Sequence, residues 1–377
     1  MTRSALFSPL TLGALELPNR IVVSPMCQYS AQEGHITDWH RSHHASLATG
    51  GAGLVFVEAT AVERRGRITH GCTGLWSDGQ IDGTAGLVDL IHSHGARAAL
   101  QIAHAGPKAN TGRPWENDSR PLGPEQAAVG ETSWESVAPT AEPADEGWQV
   151  PRALTEDDFP VIIDAYRHAA RRAEAAGFDV LEVHGAHGYL LHCFLSPLAN
   201  HRDDAYGGDL AGRMRFPLEV VEAVRAEWPR NKPLFYRTSA VDGVEGGLTL
   251  DDTVILAHEL KARGVAVLDC SSTGIRGATA VSGGIPKGEG YQVPYAERVR
   301  RETGLATMAV GLIRRPEHAE EIVANGAADL VALGRELLLD PFWPRRAAEV
   351  LGVDPEMEGW PAPYGWWLVR RRRAEGF

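Results

Sequence analysis

The sequence predicts a (β/α)8 TIM barrel, and three observations carry that prediction. Short β-rich runs alternate with helical patterns nearly throughout the 377 residues. Most of those runs are continuously apolar rather than alternating, as parallel strands covered on both faces are. Eight of them, with helices between, fit in about 350 residues, a length that suits one large α/β barrel. An open doubly wound sheet is the alternative, but no GxGxxG follows the first strand and no Walker motif occurs. Residues 1–377 therefore read as a single barrel domain.

The predicted strands run from Arg20 to Met26, Leu54 to Val62, Ala96 to Ala103, Asp179 to Val183, Pro233 to Ser239, Val265 to Ser271, Ala306 to Gly311 and Asp329 to Leu333. The helix predicted from Thr155 to Ala176 opens with a threonine cap and acids in its first turn and ends at Gly177. Those predicted over Leu210–Trp228, Leu250–Arg263 and Pro316–Asn325 end before Pro229, Gly264 and Gly326. One segment breaks the rhythm. Gly106 to Arg152 follows the third strand, is rich in Pro, Gly, Trp and Glu, and lacks helical periodicity, which predicts a lid or capping segment over the barrel mouth. The tail over residues 341–377 carries Trp343, Trp360, Trp366 and Trp367, which predicts docking on the barrel or on a neighbouring subunit.

Composition narrows the class. Hydrophobic residues make up 44% and charged residues 23%, which is globular, and the formal charge of -12 leaves no basic face for a nucleic acid. The run Arg370-Arg371-Arg372-Arg373 reads as a solvated tail. No apolar run approaches a membrane span, and the first residues lack the long apolar core of a signal peptide. Cys27, Cys72, Cys193 and Cys270 form no CxxC pair, so a reducing cytoplasm is expected.

In a barrel the strand ends share one pocket. The first delivers Pro25, Met26, Cys27 and Tyr29; the second Ala59 beside Glu58; the third Gln101, His104 and Lys108. The fourth delivers His184, His187 and Tyr189, the fifth Arg237, the sixth Asp269 and Ser271, and the last two Gly311 and Gly334-Arg335. No carboxylate pair for glycosidase chemistry is evident. Amide, guanidinium, thiol and imidazole groups suit an electron-rich heterocycle with carbonyl and ring-nitrogen edges. Gly and Arg after the last strands occupy the usual barrel position for a phosphate. His184 and His187 can donate paired hydrogen bonds to one oxygen and Tyr189 can give up a proton; the same HxxH can also supply two metal ligands.

Five ordered motifs carry a resemblance. They are Asn19-Arg20-Ile21-Val22-Val23-Ser24-Pro25-Met26-Cys27-Gln28-Tyr29, Gln101-Ile102-Ala103-His104-Ala105-Gly106, His184-Gly185-Ala186-His187-Gly188-Tyr189-Leu190, Ala205-Tyr206-Gly207-Gly208 and Gly334-Arg335-Glu336-Leu337. Nearly the whole chain, from Leu6 to Trp367, resembles the old yellow enzyme family of FMN-dependent ene-reductases. It is most similar to the thermophilic-like subclass that includes xenobiotic reductases.

The resemblance implies an FMN cofactor, reduced by NADPH or NADH, and small activated alkenes as substrates. It places Pro25, Met26, Cys27 and Ala59 near the flavin N5 and O4, with Cys27 where the other main subclass has a threonine. Gln101 and Arg237 are implied at the pyrimidine edge, and Ser271, Gly311, Gly334 and Arg335 at the ribityl phosphate. His184 and His187 then hold the carbonyl of an α,β-unsaturated substrate, hydride passes from N5 to Cβ, and Tyr189 protonates Cα. Tyr29 and Lys108 contact the substrate or lid, and Trp366 or Trp367 reaches a neighbour's site in a homodimer or homotetramer. The segment Ala278 to Gly290 is longer and richer in glycine than is typical of the family.

Other readings compete residue by residue. Arg237 can be a buried ion-pair partner of Glu182 or Asp242, Arg335 a surface residue, and Gly311 and Gly334 turn glycines. His104 can orient its neighbours, and the roles of His192 and His201 stay open. A metal-dependent barrel hydrolase using His184 and His187 as ligands is the alternative function, and a flavin-binding scaffold without catalysis is a third.

Overall fold

The computed structural model describes residues 4–276 and 285–375. An antiparallel hairpin of β1 (Leu10–Leu12) and β2 (Leu15–Leu17) precedes the barrel. The first barrel strands are β3 (Ile21–Val23), β4 (Leu54–Ala61) and β5 (Arg97–Ala103). An excursion then carries the short parallel pair β6 (Val137–Ala138) and β7 (Arg152–Ala153). The barrel resumes with β8 (Val180–Gly185), β9 (Leu234–Ser239), β10 (Val267–Ser271), β11 (Ala306–Ala309) and β12 (Leu330–Leu333). Each strand pairs parallel with its neighbours, and β12 closes on β3, so the predicted eight-stranded barrel is the observed one.

The apolar runs explain the closure. All eight residues of β4 are buried, one set against the helices and the other inside the ring. The interior set includes Val22, Leu54, Phe56, Val180, Phe235, Val267, Met308 and Leu330. Leu12 and Leu17 of the hairpin belong to the same cluster, and the Ala14 N–H bonds Asn231 O just before β9. The hairpin therefore seals the amino end of the barrel, which the sequence reading did not anticipate.

Outside the ring, the helix Asp158–Ala175 turns Phe159, Ile162, Tyr166, Ala169 and Ala173 inward at helical spacing. It begins later than predicted because the Asp158 carboxylate accepts from both the Thr155 N–H (2.8 Å) and its hydroxyl (2.9 Å), tying the threonine into the approach rather than the first turn. The first strand is also shorter than predicted, ending before Pro25, which has no N–H for a ladder. The excursion holds short helices at Pro114–Asn117 and Pro124–Ala128 that its composition did not reveal.

The tail divides. Trp343 is buried and donates to Arg314 O, and Trp360 stacks on Phe342 at 5.4 Å, both on this chain's own surface. Trp366 and Trp367, on the helix Ala362–Glu375, are 52% and 65% exposed. Residues 278–284 of the glycine-rich segment lie outside the described residues.

Candidate active site at the carboxyl end of the barrel

A cavity of about 700 Å³ opens at the carboxyl ends of the strands, within the size range of sites that hold a cofactor. Pro25, Met26, Cys27 and Tyr29 line it from the end of β3, Lys108 from beyond β5, and His187 and Tyr189 from beyond β8. Arg237 of β9, Ser271 of β10, Gly311, Gly334 and Arg335 complete the expected lining. Ala59 and Gln101 stand off it. Ala59 lines a small adjoining pocket that shares Tyr189 with the cavity, and the buried Gln101 Nε2 donates to Glu182 Oε1 at 2.8 Å inside the barrel. Trp366 and Trp367 are likewise absent from the cavity wall.

His184 is buried behind that wall, its ring edge-on to both His187 and Tyr189 with centroids 5.1 Å from each. The Ala186 N–H approaches His184 Nδ1 at 3.3 Å, so Nδ1 is the acceptor and the ring proton sits on Nε2. His187 Nε2 lies 2.8 Å from Ser271 Oγ, which puts Ser271 at the imidazole end of the cavity rather than among the cations expected to meet a phosphate. Burial first, and then the Arg237 charge, hold both imidazoles well below their usual pKa, so they are neutral donors near pH 7.

Tyr189 keeps part of its surface on the cavity yet is otherwise enclosed. Burial pushes its phenol well above the ordinary value. A phenol so placed is protonated at neutral pH and available as an acid. Burial also pushes the Cys27 thiol up, so it stands as a thiol rather than a thiolate.

Arg237 is neighboured across the sheet by His184 on β8 and Asp269 on β10. Its Nε lies 2.9 Å from Asp269 Oδ2, which corrects the expectation of Glu182 or Asp242 as its partner. Asp242 instead faces His192, with Nε2 to Oδ1 at 2.9 Å. Glu182 and Asp269 are fully buried, and burial raises the Glu182 carboxyl well above its usual range. His104 pairs with Glu63 at 2.8 Å and its Nδ1 accepts from the Gly106 N–H, an orienting role. His201 pairs with Glu142 at the surface. Among the described residues no three His, Cys, Asp or Glu side chains converge as a metal set, and the Arg237 charge, one strand over from His184, bears on both imidazoles.

The other end of the cavity is cationic and open. Arg335 and Arg314 are exposed, and neither side chain has a carboxylate partner among the described residues. Gly311 sits at φ +127°, a backbone conformation that a side chain would strain, and a Cβ there would come within 3.2 Å of Gln292. Such an end, two guanidinium groups beside bare backbone, suits a phosphate. Arg314, Tyr291 and Gln292 were missed from sequence; the doubled arginine three residues after Gly311 was the available signal for the first.

Comparison with known proteins agrees with this geometry. The model of the NADH:flavin oxidoreductase / NADH oxidase family matches residues 5–353. An NADPH dehydrogenase of Geobacillus sp. (strain WCH70) is 45% identical over 350 residues, covering 92% of this chain and 95% of the relative. Another NADPH dehydrogenase, of Geobacillus thermodenitrificans (strain NG80-2), is 44% identical over 96% of this chain and 99% of its own length. The structure of morphinone reductase in complex with tetrahydroNAD superimposes with a TM-score of 0.74 at 30% identity, over 92% of this chain and 91% of that one. No helix among the described residues is long and apolar enough to cross a membrane. The chain is thus an oxidoreductase and belongs to the NADH:flavin oxidoreductase / NADH oxidase family, that of the old yellow enzymes.

Proposed function

We propose that the protein is an FMN-dependent ene-reductase that uses NADPH or NADH to reduce the C=C bond of α,β-unsaturated carbonyl compounds. The observation that carries this reading is a neutral His187 imidazole and a protonated Tyr189 phenol on a cavity whose far end is cationic, with the neutral His184 imidazole packed edge-on directly behind them. Arg314, Arg335, Gly311 and Gly334 would hold the phosphate of FMN. Pro25, Met26, Cys27 and Arg237 would line its ring, with Gln101 and Ala59 behind them. Bound there, FMN would supply the hydride.

The protein's own part is binding and proton transfer. His184 Nε2–H and an N–H of His187 would donate to the substrate carbonyl oxygen. Negative charge grows on that oxygen as the alkene accepts hydride, so donors fixed beforehand stabilise the transition state more than the bound substrate. Tyr189 then gives its hydroxyl proton to Cα. His187 must trade its contact with Ser271 for the substrate, which costs little where one hydrogen bond replaces another.

Tyr29 sits over the cavity at φ +47°, its carbonyl taken by Arg113 Nε at 3.0 Å and its ring tilted against Trp115. The excursion over residues 106–152 would thereby act as a lid. Lys108, its Nζ on the His187 carbonyl, acts on the substrate through that loop. The exposed Trp366 and Trp367 fit a contact with a second copy in a homodimer or homotetramer, and a cytoplasmic setting fits the four free cysteines. The test is spectroscopic: purified protein should carry FMN, be bleached by NADPH, and recover its colour on adding cyclohexenone. A colourless protein that takes up zinc and no FMN would instead favour the metal hydrolase.

A further inference from the structure

The loop leaving β8 departs from ordinary backbone conformation twice in succession. His187 lies at φ +63° and Gly188 at φ +75°. A histidine stays in the left-handed region only where its surroundings hold it there. Here all four backbone polar groups of the pair are held by side chains. The His187 N–H donates to Ser239 Oγ at 3.0 Å, and Lys108 Nζ donates to the His187 carbonyl at 3.0 Å. The Gly188 N–H donates to His192 Nδ1 at 2.8 Å, and Cys193 Sγ donates to the Gly188 carbonyl at 3.1 Å.

Ser239 and Lys108 are each steadied by a further backbone carbonyl, of Thr273 and Gly274, whereas His192 is oriented by a buried carboxylate. Its side chain and that of Asp242 are both 0% exposed, and Nε2 lies 2.9 Å from Asp242 Oδ1, with no other polar partner for either atom among the described residues. The second carboxylate oxygen, Oδ2, accepts from the Ser196 hydroxyl at 2.6 Å and from the Leu248 N–H at 2.7 Å. Accepting from Gly188 at Nδ1 places the imidazole proton on Nε2, toward the carboxylate. The carboxylate thus selects the tautomer, and the tautomer lets the ring hold Gly188.

We propose that His192, oriented by Asp242, is a positioning residue for the reaction: through the Gly188 N–H it sets His187 and Tyr189 in place on the cavity. Neither His192 nor Asp242 lines the cavity. The inference rests on the ene-reductase reading of the site and adds to it the device that organises the acid and one of the carbonyl donors.

The test is Asp242→Asn in the FMN-loaded enzyme. The Leu248 N–H is a fixed donor, so the new amide oxygen must face it and the NH2 must face His192. Nε2 then becomes an acceptor, the ring proton moves to Nδ1, and it confronts the Gly188 N–H. With cyclohexenone, kcat per bound FMN should fall at least about tenfold while KM changes less, because misplaced donors are felt most as charge develops. The nitrogen chemical shifts of His192 should report the changed tautomer. His192→Asn, whose amide oxygen can still accept from Gly188, should keep kcat within about threefold, whereas His192→Gln, which reaches Asp242 but not Gly188, should match the loss. Full kcat in Asp242→Asn, or His192→Gln outperforming His192→Asn, overturns the proposal. A wild-type enzyme that binds FMN yet reduces no enone defeats the ene-reductase reading instead.

Discussion

The two ends of the cavity are built on opposite terms. Beyond β8, the chain's polar groups are matched to one another: imidazoles are neutral, backbone atoms are held by side chains, and the phenol is shielded. Beyond β11 and β12, Arg314 and Arg335 stand exposed, neither guanidinium paired with a carboxylate among the described residues, next to the bare backbone of Gly311. The first end is held by the chain's own contacts, whereas the second has charges for a ligand to match. Chemistry needs groups fixed before the charge moves; tethering an anion needs only unspent donors.

Four measurements bear on that contrast, from the largest effect to the smallest. Tyr189→Phe removes the acid from the enclosed end, and flavin reoxidation by an enone should slow by about 100-fold or more. Reduction by NADPH, followed in the same stopped-flow traces, should stay within about threefold. Equal slowing of both half-reactions would mean that Tyr189 shapes the cavity rather than donating a proton.

The cations of the two ends should also behave differently with pH. Burial lowers the Lys108 ammonium from 10.5 to about 8. The unfolded chain therefore holds this proton more tightly between those values. Below pH 8 both states are charged and the cost of burial is fully present; as pH rises from 8 toward 10.5 the folded state sheds the proton and stability recovers. The recovery is on the order of 3 kcal/mol at most. Urea melts at pH 7.5 and 9.5 should show it in the native chain and not in Lys108→Met. The same rise in both proteins would assign it to another group.

At the open end, Arg335→Ala should weaken FMN binding about tenfold, the worth of one charge-assisted hydrogen bond, without lowering the melting temperature of the FMN-free protein. Fluorescence titration measures the first and a thermal melt the second. A large drop in melting temperature would show that Arg335 is as built-in as Lys108. Smallest of all, Trp366→Ala and Trp367→Ala should change monomer stability by less than about 0.5 kcal/mol, since both side chains are largely exposed. Any change in turnover that depends on protein concentration would place them at a contact between copies.

Much of the barrel was legible because buried parallel strands write themselves as unbroken apolar runs, such as Leu54–Ala61, and because helices stop at glycine or before proline. The cavity was legible one strand end at a time, so Cys27, His187, Tyr189 and Arg237 were found together. What escaped depends on contacts between distant positions. Asp269 was passed over as the partner of Arg237 because register between β9 and β10 decides it. The role of His192 was open because its meaning comes from Asp242, fifty residues on. The hairpin at Leu10–Leu17 gave no signal to the sequence reading, since three-residue strands carry too little pattern to read.

That hairpin has a consequence for traffic. With Leu12 and Leu17 stoppering the amino end, every small molecule that reaches the cavity must enter and leave by the carboxyl-end mouth. Nicotinamide and alkene would then queue for one doorway, the first departing before the second arrives. On the proposed function such an enzyme would work by turns, and an excess of either visitor would slow it by keeping the other outside.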